Sequence, residues 1–97
     1  MMRHKTLSNI VALSVPILKR NDVIAAGVFG SFARGEQKKS SDIDFLIKFK
    51  GRKSLLDLSG LKIELEERLG THVDVLTYKS IHPLLKKQIL KDEVKIL

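Results

Sequence analysis

Between residues 6 and 20 the apolar side chains Leu7, Ile10, Val11, Leu13, Ile17 and Leu18 recur close to helical spacing, which predicts a helix with one face in a core. Pro16 sits inside that pattern. It must either kink the helix or open a second one with Ser14 near the cap, because proline lacks the amide a helix interior needs. Asn21-Asp22 ends the run. Val23 to Phe29 is a short apolar stretch bounded by turn residues, and reads as a buried strand. Residues 30–41 are polar and rich in Gly, Ser and Lys, with room for a short helix after Gly30-Ser31. Asp42 to Phe49 resumes a strand. Gly51-Arg52 turns the chain into the clearest helix: Ser54 with Asp57 resembles a capping box, Leu55, Leu58, Leu61, Leu65 and Leu69 follow at spacings of three and four, and Gly70 suits its end. His72 to Leu76 is a third strand. Ser80 with Pro83 is expected to open a last helix carrying Ile81, Leu84, Leu85 and Ile89, and Val94 to Leu97 to add a terminal strand. Helices alternating with strands predict a single α/β (α+β) domain, residues 1–97, with helices covering a sheet.

Composition narrows the function classes. A chain of 97 residues, 43% of them apolar, holds one small core. Its 18 Lys and Arg against 11 Asp and Glu leave a net charge of +7, so nucleotide phosphate, nucleic acid or an acidic protein are suitable partners. Cysteine is absent, which excludes disulfides and cysteine zinc sites. Neither an apolar run long enough to span a membrane nor a signal-peptide pattern is read, and the expected location is the cytoplasm.

Three features carry chemistry. Asp42 and Asp44 alternate on one strand, so both carboxylates point to the same face, about 6.5–7 Å apart at the backbone. A pair so placed brackets hard cations; without one, like charges repel. Asp74 sits between Val73 and Val75 in a strand expected to be covered by packing, where a carboxylate is expensive unless paired or metal-bound. Gly30-Ser31 ends a buried strand at a helix start, where free amides suit a phosphate and glycine admits close approach. If the end of the first strand and the start of the second meet one phosphate–metal unit, those strands run antiparallel. The second and third, joined through a helix, have room for a parallel crossover, so the sheet is expected to be mixed. Taken singly, Gly30-Ser31 is more often a turn and Asp42 and Asp44 solvated strand-start acids, while Asp74 is as readily an edge-strand acid paired with Lys or Arg. Their joint order is what argues for a site.

Other residues carry less. His4, His72 and His82 are scattered, although His72 shares a strand face with Asp74. Lys38 and Lys39 in the loop, and the run Lys48, Lys50, Arg52 and Lys53, read as solvated surface before they read as phosphate contacts. With one Tyr and four Phe, the stacking platform of a single-strand binder is weak.

Gly30-Ser31-Phe32-Ala33-Arg34-Gly35-Glu36, then Ser41-Asp42-Ile43-Asp44-Phe45-Leu46-Ile47, with Asp74 on a later strand, resembles the signature of the minimal nucleotidyltransferases of the DNA polymerase β-like superfamily. The resemblance covers nearly the whole chain. It implies a mixed sheet flanked by helices, with Asp42, Asp44 and Asp74 as the catalytic carboxylates and ligands of two Mg²⁺ ions. Gly30 and Ser31 would contact the triphosphate of ATP or another nucleoside triphosphate. Arg34 holds a position commonly basic in that family, whether it touches phosphate or only caps a surface. The resemblance further implies transfer of NMP, AMP from ATP first among them, to an acceptor hydroxyl on a partner toxin of the HEPN class, with this chain as antitoxin. Two other readings stand beside it: an antitoxin or regulatory subunit acting by binding alone, and a nucleic-acid-binding module, which is not favoured. A homodimer stays open. An exposed apolar patch on the first or last helix is expected to pair with another chain.

Overall fold

The computed structural model describes residues 6–36 and 42–97; Lys38 and Lys39 lie outside the described residues, as do His4 and Ser41. Helix α1 (Leu7–Arg20) starts where the Thr6 side chain accepts a hydrogen bond from the Asn9 amide, at 3.2 Å. It continues unbroken through Pro16, so no second helix opens there, and Ser14 is not a cap. Ser14 is wholly buried and its hydroxyl donates to the Ile10 carbonyl, one turn back. The missing Pro16 amide leaves the Ala12 carbonyl without its ladder bond on an exposed side of the helix. Burial of Ile10, Ile17 and Leu18 on the opposite stripe holds the helix together on either side of the proline.

Strand β1 (Val23–Phe29) has the predicted bounds, and β2 (Ile43–Phe49) starts one residue late, with Asp42 just before it. Between them lies α2 (Ser31–Arg34), a single helical turn closed by Gly35 in the left-handed conformation. Helix α3 (Leu55–Leu69) carries the predicted capping box of Ser54 and Asp57, and Gly70 ends it. Strand β3 (Val73–Thr77) follows, then a 3-10 turn at Tyr78–Ser80, helix α4 (Pro83–Asp92) and the two-residue strand β4 (Val94–Lys95). Ile96 and Leu97 still exchange backbone hydrogen bonds with Ala26, so the tail continues along β1 after the regular pairing ends.

The sheet runs β3-β2-β1-β4. β1 is antiparallel to β2 and to β4, and β2 is parallel to β3, so the sheet is mixed as expected. Alternation along β2 turns Ile43, Phe45 and Ile47 into one core, shared with Ile10, Leu18, Leu61, Leu65 and Val73 from α1, α3 and β3. It turns Asp44 and Leu46 to the other face. There the space that a Gly27 side chain would need is occupied by Glu93, whose carboxylate accepts a hydrogen bond from the Tyr78 hydroxyl.

Two expectations fail. β3 is an edge strand, and Asp74 is exposed rather than covered, because among the described residues no strand pairs beyond it. The last helix begins at Pro83, with the His82 ring accepting from the Leu84 amide at 3.1 Å; Ser80 instead closes the preceding turn, and Ile81 is buried outside the helix. The apolar positions of α4 do not form a core face: none of its residues is buried, and Leu84 is 86% exposed.

Candidate active site

The parallel register of β2 and β3 sets Asp44 directly beside Asp74, and the antiparallel register of β1 and β2 sets Phe29 on the other side of Asp44. Gly30 follows Phe29 with φ 74° and ψ −150°, a backbone conformation that glycine alone adopts easily. A side chain on Gly30 would collide with the Asp44 carboxylate as well. Two demands thus fall on one position: the strained turn that starts α2, and the room that Asp44 fills. Ser31 opens α2, and the Gly30 carbonyl accepts from the Arg34 amide at 3.1 Å.

Asp44 is half-buried, and burial is the largest cause that pushes its pKa up to about 6. The neighbouring Asp74 adds to it by charge and by a hydrogen bond between the two carboxyls, Asp42 adds by charge, and Arg34 opposes them. Asp74 and Asp42 are exposed. Asp44 and Asp74 therefore form the close pair, with Asp42 near enough to be felt. Among the described residues no group of three acidic or histidine side chains is tight enough to hold an ion by itself.

Arg34 is engaged at both ends of its guanidinium, with Glu36 at 2.6 Å and Asp92 of α4 at 3.1 Å. The hydrogen bonds it donates, to Glu36 first and then to Asp92, raise its pKa further. His72 is exposed just ahead of β3, with its ring 3.5 Å from Glu66, and plays no part in the Asp44–Asp74 pair.

A cleft of about 450 Å³ opens at the carboxylate pair. Phe29, Asp44, Asp74, Val75 and Leu76 line it from the sheet, Leu58, Ser59 and Lys62 from α3, and Leu85 and Ile89 from α4. The helical contributors were not legible as site residues. Leu58 belongs to an ordinary amphipathic stripe, Lys62 reads as a surface cation, and α4 reaches the site only through a long-range return of the chain. Tyr78 and Glu93, which meet over Gly27, carry no local signal either.

The chain matches the family of nucleotidyltransferase domains over residues 14–96. It belongs to that family. A Methanocaldococcus jannaschii protein provisionally named a protein adenylyltransferase is 60% identical over 83 residues, spanning 86% of this chain and 89% of the relative. The protein adenylyltransferase MntA of Thermococcus cleftensis is 36% identical over 89 residues, 92% of this chain and 90% of its own. Among solved structures, one described provisionally as a minimal nucleotidyltransferase superposes with a TM-score of 0.80 at 33% identity, covering 96% of this chain and 98% of that one. Two more distant structures share the fold. A toxin–antitoxin with AMP-PNP has a TM-score of 0.80 at 21% identity, over 90% and 72% of the two chains. A Shewanella oneidensis complex of tri-AMPylated HEPN toxin with MNT antitoxin has a TM-score of 0.74 at 17% identity, over 93% and 71%. The nucleotidyltransferase thus has the small mixed-sheet architecture of the minimal members of its family, and no described helix is long and apolar enough to cross a membrane.

Proposed function

We propose that this nucleotidyltransferase moves AMP from ATP to a hydroxyl on a partner protein of the HEPN toxin class and acts as its antitoxin. The observation that carries the reading is the face-to-face placement of Asp44 and Asp74, above Gly30 and at the mouth of an open cleft. The names of the relatives support the same direction: protein adenylyl transfer.

The donor set fits a hard divalent cation. Its ligands are oxygens only, and the two facing carboxylates repel, enough to help lift Asp44 to about 6, unless positive charge sits between them. Asp42, Asp44 and Asp74 would hold Mg²⁺. Because these side chains do not enclose an ion alone, phosphate oxygens of the nucleotide would complete its coordination, the usual mode for Mg²⁺. The bound cation supplies charge that offsets the negative charge of the reacting phosphates. The chain's own residues do the rest. The Gly30-Ser31 backbone and the Ser31 hydroxyl would hold the triphosphate, with Arg34 at its flank. Asp74, exposed to the cleft, takes the proton from the acceptor hydroxyl. The acceptor oxygen then bonds to the α-phosphorus as the α–β bridge breaks, and pyrophosphate leaves.

Incubating the protein with ATP labelled at the α-phosphate, Mg²⁺ and a partner protein of the HEPN toxin class tests this. Label is expected on the partner and lost with Asp44→Asn. Neutralisation of the partner without label, with wild type and Asp44→Asn alike, would show an antitoxin that works by binding alone.

A further inference from the structure

β3 is an edge, and its open side faces the reaction cleft. The Ile43 amide donates to the His72 carbonyl at 3.1 Å, which fixes the parity of the β2–β3 ladder. Asp74 and Leu76 turn their amides and carbonyls toward β2, so Val73, Val75 and Thr77 turn theirs outward. Among the described residues no strand pairs with that side. The chain satisfies two of the three outward amides itself. Glu66 accepts from Val73 at 3.1 Å, and the Ser80 hydroxyl accepts from Thr77 at 3.2 Å. The middle residue, Val75, lines the cleft, and no described side chain takes up its amide. Proteins usually blunt such edges, since an open one pairs with any extended chain. Here the blunting leaves out Val75, which directly follows Asp74.

We infer that Val75 is a docking edge for the acceptor: an extended segment of the partner protein adds to β3 as a short strand and so carries its hydroxyl-bearing side chain to Asp74. This rests on the protein-acceptor reading proposed above and names how the acceptor is held. An extended peptide is the occupant whose backbone complements an amide and a carbonyl presented side by side on a strand edge. The walls agree, because Leu58, Leu85 and Ile89 line the cleft from the two helices and Leu85 is left 57% exposed, an apolar surface that a small alcohol would not cover. Side chains of the added strand alternate: those sharing the face of Asp74 would carry the hydroxyl, and their neighbours would meet the α3 wall, where Lys62 favours an acidic residue.

The test presents wild-type enzyme, Mg²⁺ and labelled ATP with nine-residue peptides carrying one central Ser, Thr or Tyr among varied neighbours. Label is expected on a subset with apolar residues and an acid beside the hydroxyl. Val75→Pro removes the amide from the free side of an edge strand, where proline is tolerated, and is expected to lower transfer to the best peptide by about tenfold or more while Mg²⁺-ATP affinity stays unchanged. Should that variant fold poorly, hydrogen exchange in the wild type decides: saturation with the best peptide is expected to slow the Val75 amide by about tenfold or more. Transfer or exchange unaffected at Val75 overturns the docking edge. So does label confined to non-peptide acceptors, which leaves the transferase standing. Absence of Mg²⁺-dependent ATP binding by the wild type would instead overturn the transferase reading, and the docking edge with it.

Discussion

Asp44 and Asp74 occupy paired positions on neighbouring parallel strands, so their carboxyls face each other although 29 residues separate them in the chain. Like charges at this spacing do not both ionise freely, and the half-buried member takes the shift, to about 6. The fold tolerates this pair at a cost to its own stability. On the function proposed above, a bound cation with its nucleotide would remove that cost.

The pH dependence of stability follows. Asp44 keeps its proton up to about 6 in the fold, whereas the unfolded chain releases it near 3.9. Between those values the folded state binds more protons, so its stability is greater on the acid side and declines as pH rises through the window. In chelator at low salt, melting temperature is expected to fall from pH about 4 to about 6.5, with a shallower fall for Asp44→Asn. Added Mg²⁺-nucleotide is expected to bind better as pH rises through about 6, because the proton and the cation compete for one carboxyl. Equal slopes for wild type and Asp44→Asn would show that the Asp44 proton is not the source.

Gly30→Ala is expected to damage the site more than the fold. A positive φ at a non-glycine residue costs of order 1–3 kcal/mol, and the new methyl also displaces the Asp44 carboxylate. Calorimetry is expected to show Mg²⁺-nucleotide affinity falling further than the lowered melting temperature explains. Gly60→Ala is the control. Gly60 lies inside α3 with open space where a side chain would go, so alanine there is expected to stabilise by about 0.5–1 kcal/mol. An intact affinity in Gly30→Ala would mean that Asp44 need not sit where Gly30 lets it.

Much of this was legible locally. The apolar run of β1, the alternation of Asp42 and Asp44 at β2, the Ser54–Asp57 capping box and the antiparallel-then-parallel strand order all follow from short-range pattern and from one geometric demand, that the end of β1 and the start of β2 meet at one phosphate–metal unit. What failed was non-local. Val73 and Val75 predict a covered strand, yet burial of Asp74 depended on a neighbour beyond β3 that the topology does not supply. Leu84 and Leu85 have the spacing of a core stripe but nothing to pack on, and periodicity cannot tell an unpartnered stripe from a buried one. Pro16 was expected to kink the helix or to open a second one; no second helix opens, because packing of the residues on both sides carries one helix through.

The contact over Gly27 gives a prediction about the tail. Tyr78 keeps its proton to higher pH than an ordinary phenol, chiefly through burial and then through its hydrogen bond to Glu93. Tyr78→Phe leaves the Glu93 carboxylate without that donor, at a cost of about 1 kcal/mol, read in a denaturant melt. Gly27→Ala, whose methyl would occupy the place of Glu93, is expected to cost more and to loosen β4, seen as faster exchange of the Ile96 amide. If Gly27→Ala melts like wild type, Glu93 has another place to go and does not fasten the tail.

Asp74→Asn separates catalysis from architecture. Asp74 is exposed and meets another acid, not a cation, so replacing it removes repulsion and leaves no buried partner stranded. Melting temperature is expected to hold or rise slightly, the opposite of the loss of about 3–5 kcal/mol that breaking a buried ion pair brings. Mg²⁺-nucleotide affinity is expected to survive in large part, because Asp42 and Asp44 remain, whereas Asp42→Asn combined with Asp44→Asn is expected to abolish it. Transfer by Asp74→Asn is expected to fall by about 10²–10⁴-fold, the contribution of a positioned base. Loss of its negative charge would also let Asp44 ionise at lower pH, moving the acid limb of nucleotide binding downward. Normal transfer per folded molecule, with a shifted acid limb, would leave Asp74 as a neighbour that tunes Asp44 and would hand the proton to another group.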